Sequence, residues 1–116
     1  MKLSEAIRKG CKVRPRQCFG RFLDGDDGAC AGGAALIAAG ISPDAIECEA
    51  EYAPWPIEAG PAFPDGVNLL TESCPAPRCN IARSGGVTVR GIAAHLNDTH
   101  RWSREQIADW LEAQGW

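Results

Sequence analysis

Apolar residues recur at Leu3, Ala6, Ile7 and Gly10, with Lys2, Glu5, Arg8 and Lys9 between them. This is the i, i+3, i+4, i+7 spacing of an amphipathic helix, which Gly10 is expected to end and Pro15 must end. Phe19, Phe22 and Leu23 suit a strand, and "DGDDG" from Asp24 to Gly28 reads as a turn. The turn lacks the ligand pattern of a calcium loop: Gly28 falls at the third liganding position, and no Glu stands at the twelfth. "ACAGGAALIAAGI" predicts a second helix, because alanine is the strongest helix former and Gly40 suits its C-terminal cap. Ser42 and Pro43 start a further short helix, with Asp44 near the positive end of its dipole.

The pattern then changes. Six prolines lie between Ala53 and Pro77, so residues 53–77 are expected to form an irregular excursion. One short strand is expected at Val67 to Leu70, and Trp55 and Phe63 are placed to tack the excursion to the core. Ser84-Gly85-Gly86 with the alternating Val87 and Val89 predicts a small hairpin. Val89, Ile92 and Leu96 give helical spacing from near Thr88, with a break expected at Asn97-Asp98. Ser103 and Gln106 form a capping-box pair opening a last helix with Ile107, Trp110 and Leu111 on its apolar face. The fold class expected is α+β, mostly α: a single domain over 1–116 with short helices, a small hairpin and a zinc knuckle in its 74–116 part.

That knuckle rests on the pattern C-x4-C-x15-H-x4-H, formed by Cys74, Cys79, His95 and His100. Structural zinc sites pair a short cysteine loop with two histidines three to five residues apart. A tight loop turns two thiolates toward one point, and a helix end delivers two imidazoles. Five residues of regular helix rotate by about 140°, too far for both rings to meet one ion, so Asn97-Asp98 is expected to loosen the helix. Four protein ligands leave no open position, so the expected Zn2+ is structural. Arg78, between the thiols, would offset their charge.

The other cysteines carry weaker readings. Cys11 and Cys18 could form a half-site, but no histidine remains to complete it. Cys48 lies between Glu47 and Glu49, which raise its thiol pKa. Cys30 begins a helix, where the dipole would favour a thiolate nucleophile, although a small buried cysteine is the commoner case.

Composition sets limits on these ideas. The 116 residues are 45% hydrophobic and 23% charged, the balance of a globular domain. No apolar run is long enough to cross a bilayer. The opening "MKLSEAIRKG" has no apolar run behind its charges, so no secretory signal is expected. A bacterial or phage-infected cytoplasm, with reduced thiols, is therefore the expected setting. Net charge is −3, yet residues 1–21 hold seven of the twelve basic side chains against Glu5 alone, leaving −9 on the remainder. The simpler account of this asymmetry is a basic face that meets the protein's own acidic half. The sharper one is a nucleic-acid contact through Arg14, Arg16 and Arg21.

Three stretches, "KLSEAIRKG" (2–10), "GACAGGAALIAAGI" (28–41) and "HLNDTHRWSREQIADWLE" (95–112), together resemble a family of small, functionally uncharacterised proteins of bacteria, phages and prophages. The resemblance implies a small soluble protein carried by mobile elements and implies no activity. This chain departs from it in its proline-rich middle and at Gly32, where a larger apolar residue would be expected.

The function these observations favour is a zinc-stabilised, non-enzymatic interaction protein, a phage or prophage accessory factor binding a host protein, with no catalytic residue. Trp55, Phe63 and Trp116 are its candidate aromatic contacts. The alternative is a nucleic-acid-binding zinc module. The interval between Cys79 and His95 is longer than in DNA-reading fingers and lacks their polar recognition positions. A third reading is a hydrolase, with Cys30 as nucleophile or with zinc assisted by Asp98.

Overall fold

The computed structural model describes residues 1–46, 55–56, 59–64, 69–70, 74–79 and 87–116. Helix α1 spans Leu3–Val13 and presents Leu3, Ser4, Ala6, Ile7 and Gly10 to the interior. It runs through Gly10 rather than stopping there. Gly10 lies where α1 meets α2, and a Cβ at this position would collide with the Ala34 backbone. The glycine is a point of close approach, and the helix continues until Pro15 enforces the stop one residue beyond Arg14.

Three two-residue strands follow: β1 at Arg16–Gln17, β2 at Leu23–Asp24 and β3 at Gly28–Ala29. Strand β3 is central, parallel to β1 and antiparallel to β2. The Asp24–Gly28 turn joins β2 to β3. Helix α2, Ala31–Ala38, starts at the Cys30 cap, whose sulfur accepts from the Gly33 N–H. It ends as expected at Gly40, where φ is +82°. The Gly40 N–H bonds the Ile37 carbonyl and the Ile41 N–H reaches back to Leu36, both at the lengths of ordinary bonds. Gly32 leaves room for aromatic rings: a Cβ there would stand 3.3 Å from Phe22 and 3.4 Å from Trp55. These rings occupy the space that a larger residue 32 would fill.

Ser42 caps a 3-10 turn at Pro43–Ala45. In the proline-rich stretch, the short helix α3 covers Ala59–Ala62. Trp55 makes edge-to-face contacts with Phe22 and Phe63 and does tack the excursion down. Strand β4 (Leu69–Leu70) pairs antiparallel with β5 (Val87–Thr88). The expected Ser84-Gly85-Gly86 turn, Val67 and Cys48 lie outside the described residues. The strand ladder thus brackets the Cys74–Cys79 loop, and β5 runs directly into α4, Val89–Asp98, capped by the Thr88 hydroxyl. Helix α5, Arg104–Ala113, carries the expected capping box of Ser103 and Gln106.

The result is a mostly helical α+β fold. Helix α1 packs on α2 and α5, and α4 also packs on α2 and α5. Ile7, Leu36, Ile92, Leu96, Ile107 and Leu111 are completely buried at their junction. Among the described residues no helix is long and apolar enough to cross a membrane.

Candidate metal centre

The Cys74–Cys79 loop is shaped by its own backbone. Pro75 and Pro77 restrict it, Arg78 sits in the left-handed region at φ +64°, and the Cys79 N–H closes on the Ala76 carbonyl. Ala76 is buried, which anchors the loop while Pro77 and Arg78 stay exposed. Cys74 is buried and Cys79 half-buried. Burial pushes the Cys74 thiol up, opposed by a backbone hydrogen bond from Ala76.

Helix α4 delivers the other half. His95 lies in its last turn, with the imidazole held below its ordinary value first by burial and then by the neighbouring His100. The expected break at Asn97-Asp98 does not occur: both residues are helical, and the helix is capped at Thr99. The departure falls after them. The Thr99 and His100 N–H groups both turn back to the His95 carbonyl, and Arg101 takes a left-handed φ of +53°. This tight exit swings His100 back over His95, giving perpendicular rings with centroids 4.7 Å apart.

One ligand atom from each of Cys74, Cys79, His95 and His100 lies within 4.8 Å of every other, so the four side chains are close enough to hold a metal ion. His95 Nε2 stands 3.4 Å from Cys79 Sγ and 3.0 Å from His100 Nε2. Ligand atoms around a tetrahedral ion with bonds of about 2.0–2.3 Å lie roughly 3.3–3.8 Å from one another. The cluster is therefore near the size of such a shell. Protons can bridge these contacts in the free protein; with the thiols ionised and both imidazoles neutral, four lone pairs would be available to one cation. No other such cluster occurs among the described residues.

The remaining cysteines do not join it. Cys30 is almost wholly buried, and that burial pushes its thiol up to about 12, the reverse of the dipole-activated nucleophile considered above. Cys18 is buried and directs its thiol at the Arg21 and Phe22 carbonyls. Burial raises the Cys11 and Cys18 thiols as well. Asp98 Oδ1 accepts from the Gly20 N–H and from Asn97.

The basic segment is engaged with the protein itself. Arg16 bonds Asp24 and Asp27, and Arg21 also approaches Asp24. Arg14 donates to the Gly25 carbonyl, while Arg8 on α1 reaches Asp109 and Glu112 of α5. Of the candidate aromatic contacts, Phe63 is buried and Trp55 is packed between Phe22 and Phe63, with Arg90 over its ring. Trp116 is half-buried, and its carbonyl accepts from both the backbone and the hydroxyl of Ser4.

Two polar residues hold this architecture in roles that the sequence pattern did not indicate. Arg104 is buried and donates to the carbonyls of Arg14, Pro15 and Ala29. Asn97 is fully buried between the two histidine positions. A signal for Asn97 existed: it falls four residues after Ala93, on the buried face of α4, where a polar side chain requires partners. No protein-family model, curated protein or solved structure matches the chain.

Proposed function

We propose that Cys74, Cys79, His95 and His100 bind a structural zinc ion, and that the protein is a small binding module without chemistry of its own. The convergence of four ligand atoms within 4.8 Å carries the metal reading. Two thiolates and two imidazoles suit zinc, and four protein ligands close its tetrahedral shell against substrate. Met1 and Trp116 meet at a small cleft of about 70 Å³, lined also by Leu3, Phe63, Pro64 and Val89, with room for no more than one small side chain of a partner. Met1 is the most exposed large apolar group there, at 49%. The sequence resemblance to proteins of mobile elements suggests a host protein as the partner. Internal pairing of Arg16 and Arg21 takes support away from the nucleic-acid reading.

Metal content of protein purified without added zinc, compared between wild type and Cys74→Ala, tests the first part. One zinc per chain, lost in the variant, is expected. No metal in the wild type, or undiminished metal in the variant, would refute the site. Capture of one host protein by the wild type but not by Trp116→Ala tests the second.

A further inference from the structure

We propose that Asn97 is the positioning residue of the metal centre and couples its occupancy to the N-terminal layer of the fold. This rests on the metal reading above. Asn97 lies two residues after His95 and three before His100, yet its side chain points away from them into the core. Its Oδ1 accepts from Gln17 Nε2 at 2.8 Å and from the Ala31 N–H at 3.1 Å. Its Nδ2 donates to the Cys18 carbonyl at 3.0 Å and to Asp98 Oδ1 at 2.7 Å. All four of its hydrogen-bonding positions are used, and the amide orientation is fixed: the Ala31 donor must face oxygen and the Cys18 acceptor must face nitrogen.

The partners define what is coupled. Ala31 is the first residue of α2, so Asn97 satisfies an N–H that the helix cannot satisfy internally. Gln17 belongs to β1, and its Nε2 also donates to the Trp102 carbonyl at 2.8 Å, just beyond His100. Asp98 Oδ1 takes the Gly20 N–H at 3.1 Å. Asn97 and Gln17 thus pin the chain on both sides of His100, and the turn that folds His100 over His95 is held at each end. Groups behind metal ligands are worth about ten- to a hundredfold in affinity where they fix ligand orientation.

The test uses Co2+ as a probe alongside Zn2+, with the full chain carrying Asn97→Ala or Gln17→Ala. Gln17 is only half-buried and touches no ligand, so its variant keeps the question open to measurement if Asn97→Ala does not fold. The expected result is about tenfold or more weaker metal binding in each variant, with a change in the cobalt ligand-field bands. In the wild type, chelation should speed hydrogen exchange at the Gly20 and Ala31 amides while the Ser4 amide, bonded to Trp116, changes less. Folded variants with wild-type affinity and spectrum, or Gly20 and Ala31 amides indifferent to chelation, would overturn the coupling alone. A wild-type chain that takes up neither metal would overturn the zinc reading and this inference with it.

Discussion

Between Leu3 and Ile41 the chain buries Leu3, Ile7, Phe22, Leu23, Leu36 and Ile41 among a bed of alanines, whereas from Cys74 to Cys79 it buries Cys74 and Ala76. The first region closes by apolar contact: α1 and α2 approach until the Gly10 and Ala34 backbones touch, and a sheet of six residues fills the flank. The second has two prolines, a left-handed arginine and two cysteines, with little side-chain surface to remove from water. At roughly 25 cal/mol per Å2 of apolar area, a loop of this kind cannot offset the entropy of its own ordering. A bound ion can. With the proposed ion bound, one small chain would have two sources of order, joined through α4, which gives Ile92 and Leu96 to the common core and His95 to the cluster.

The largest expected effect comes from removing the proposed zinc ion. Zinc in the proposed site would contribute several of the roughly 10 kcal/mol that structural zinc is worth, and the apolar junction of α1, α2, α4 and α5 would stay folded without it. Chelation should therefore lower the thermal midpoint followed by circular dichroism by tens of degrees. An unchanged midpoint would mean that the loop holds itself and would break the contrast. Acid should act in the same direction. The metal-free folded His95 titrates below its reference value of 6.5, so the fold binds fewer protons there than the unfolded chain. The stability from this group is present above about pH 6.5 and is lost as pH falls through the lower folded value. Metal release monitored by a chromophoric chelator should begin over the same range, because protons compete with the ion for the His95 imidazole.

An intermediate effect is expected at Arg104, within the region that closes by burial. Its guanidinium gathers the Arg14, Pro15 and Ala29 carbonyls, two of them at 2.6 Å, across the junction of α1, β3 and α5. Replacing it with methionine keeps most of the stem and strands those acceptors. Hydrogen bonds from a charged donor are worth about 1.5–3 kcal/mol, so a loss of about 3 kcal/mol in urea denaturation is expected. Zinc stoichiometry should not change. A variant within 0.5 kcal/mol of wild type, as is usual for surface sites, would show that water replaces the guanidinium without penalty.

Much of this architecture was legible in the sequence because its signals are local. Leu3, Ala6 and Ile7 announce α1, Thr88 starts α4, and Ser103 with Gln106 opens α5 through bonds spanning three residues. The cluster was legible for a similar reason: the only two histidines lie on one helix end at ligand spacing, and the cysteine pair is short. What was not legible depends on distant partners. Asn97 reads as a helix breaker from its own propensity, but acceptors and donors at Gln17, Cys18 and Ala31 hold it in the helix. Gly10 reads as a stop until Ala34 arrives against it. Nothing local to Arg104 marks it as buried, because the three carbonyls that surround it come from Arg14, Pro15 and Ala29.

The smallest expected effect is at Arg8, and it sharpens the comparison by isolating charge from burial. Arg8 and Arg104 both tie α1 or its exit to α5, but Arg8 meets carboxylates that are 62–71% exposed, whereas Arg104 is buried. Asp109 and Glu112 stand 2.6 and 2.8 Å from its guanidinium, and Glu105 at 3.6 Å. The closeness of these contacts suggests strength, yet water competes for each carboxylate and salt screens the remainder. Arg8→Ala should cost about 0.5 kcal/mol in low salt and less in 1 M salt, measured by urea denaturation at both ionic strengths. The loss at Arg104 should barely respond to salt, since its acceptors are neutral carbonyls within the fold. If Arg8→Ala instead cost as much as Arg104→Met in low salt, with most of that cost gone in 1 M salt, the α1–α5 seam would owe its order to ion pairing and not to burial.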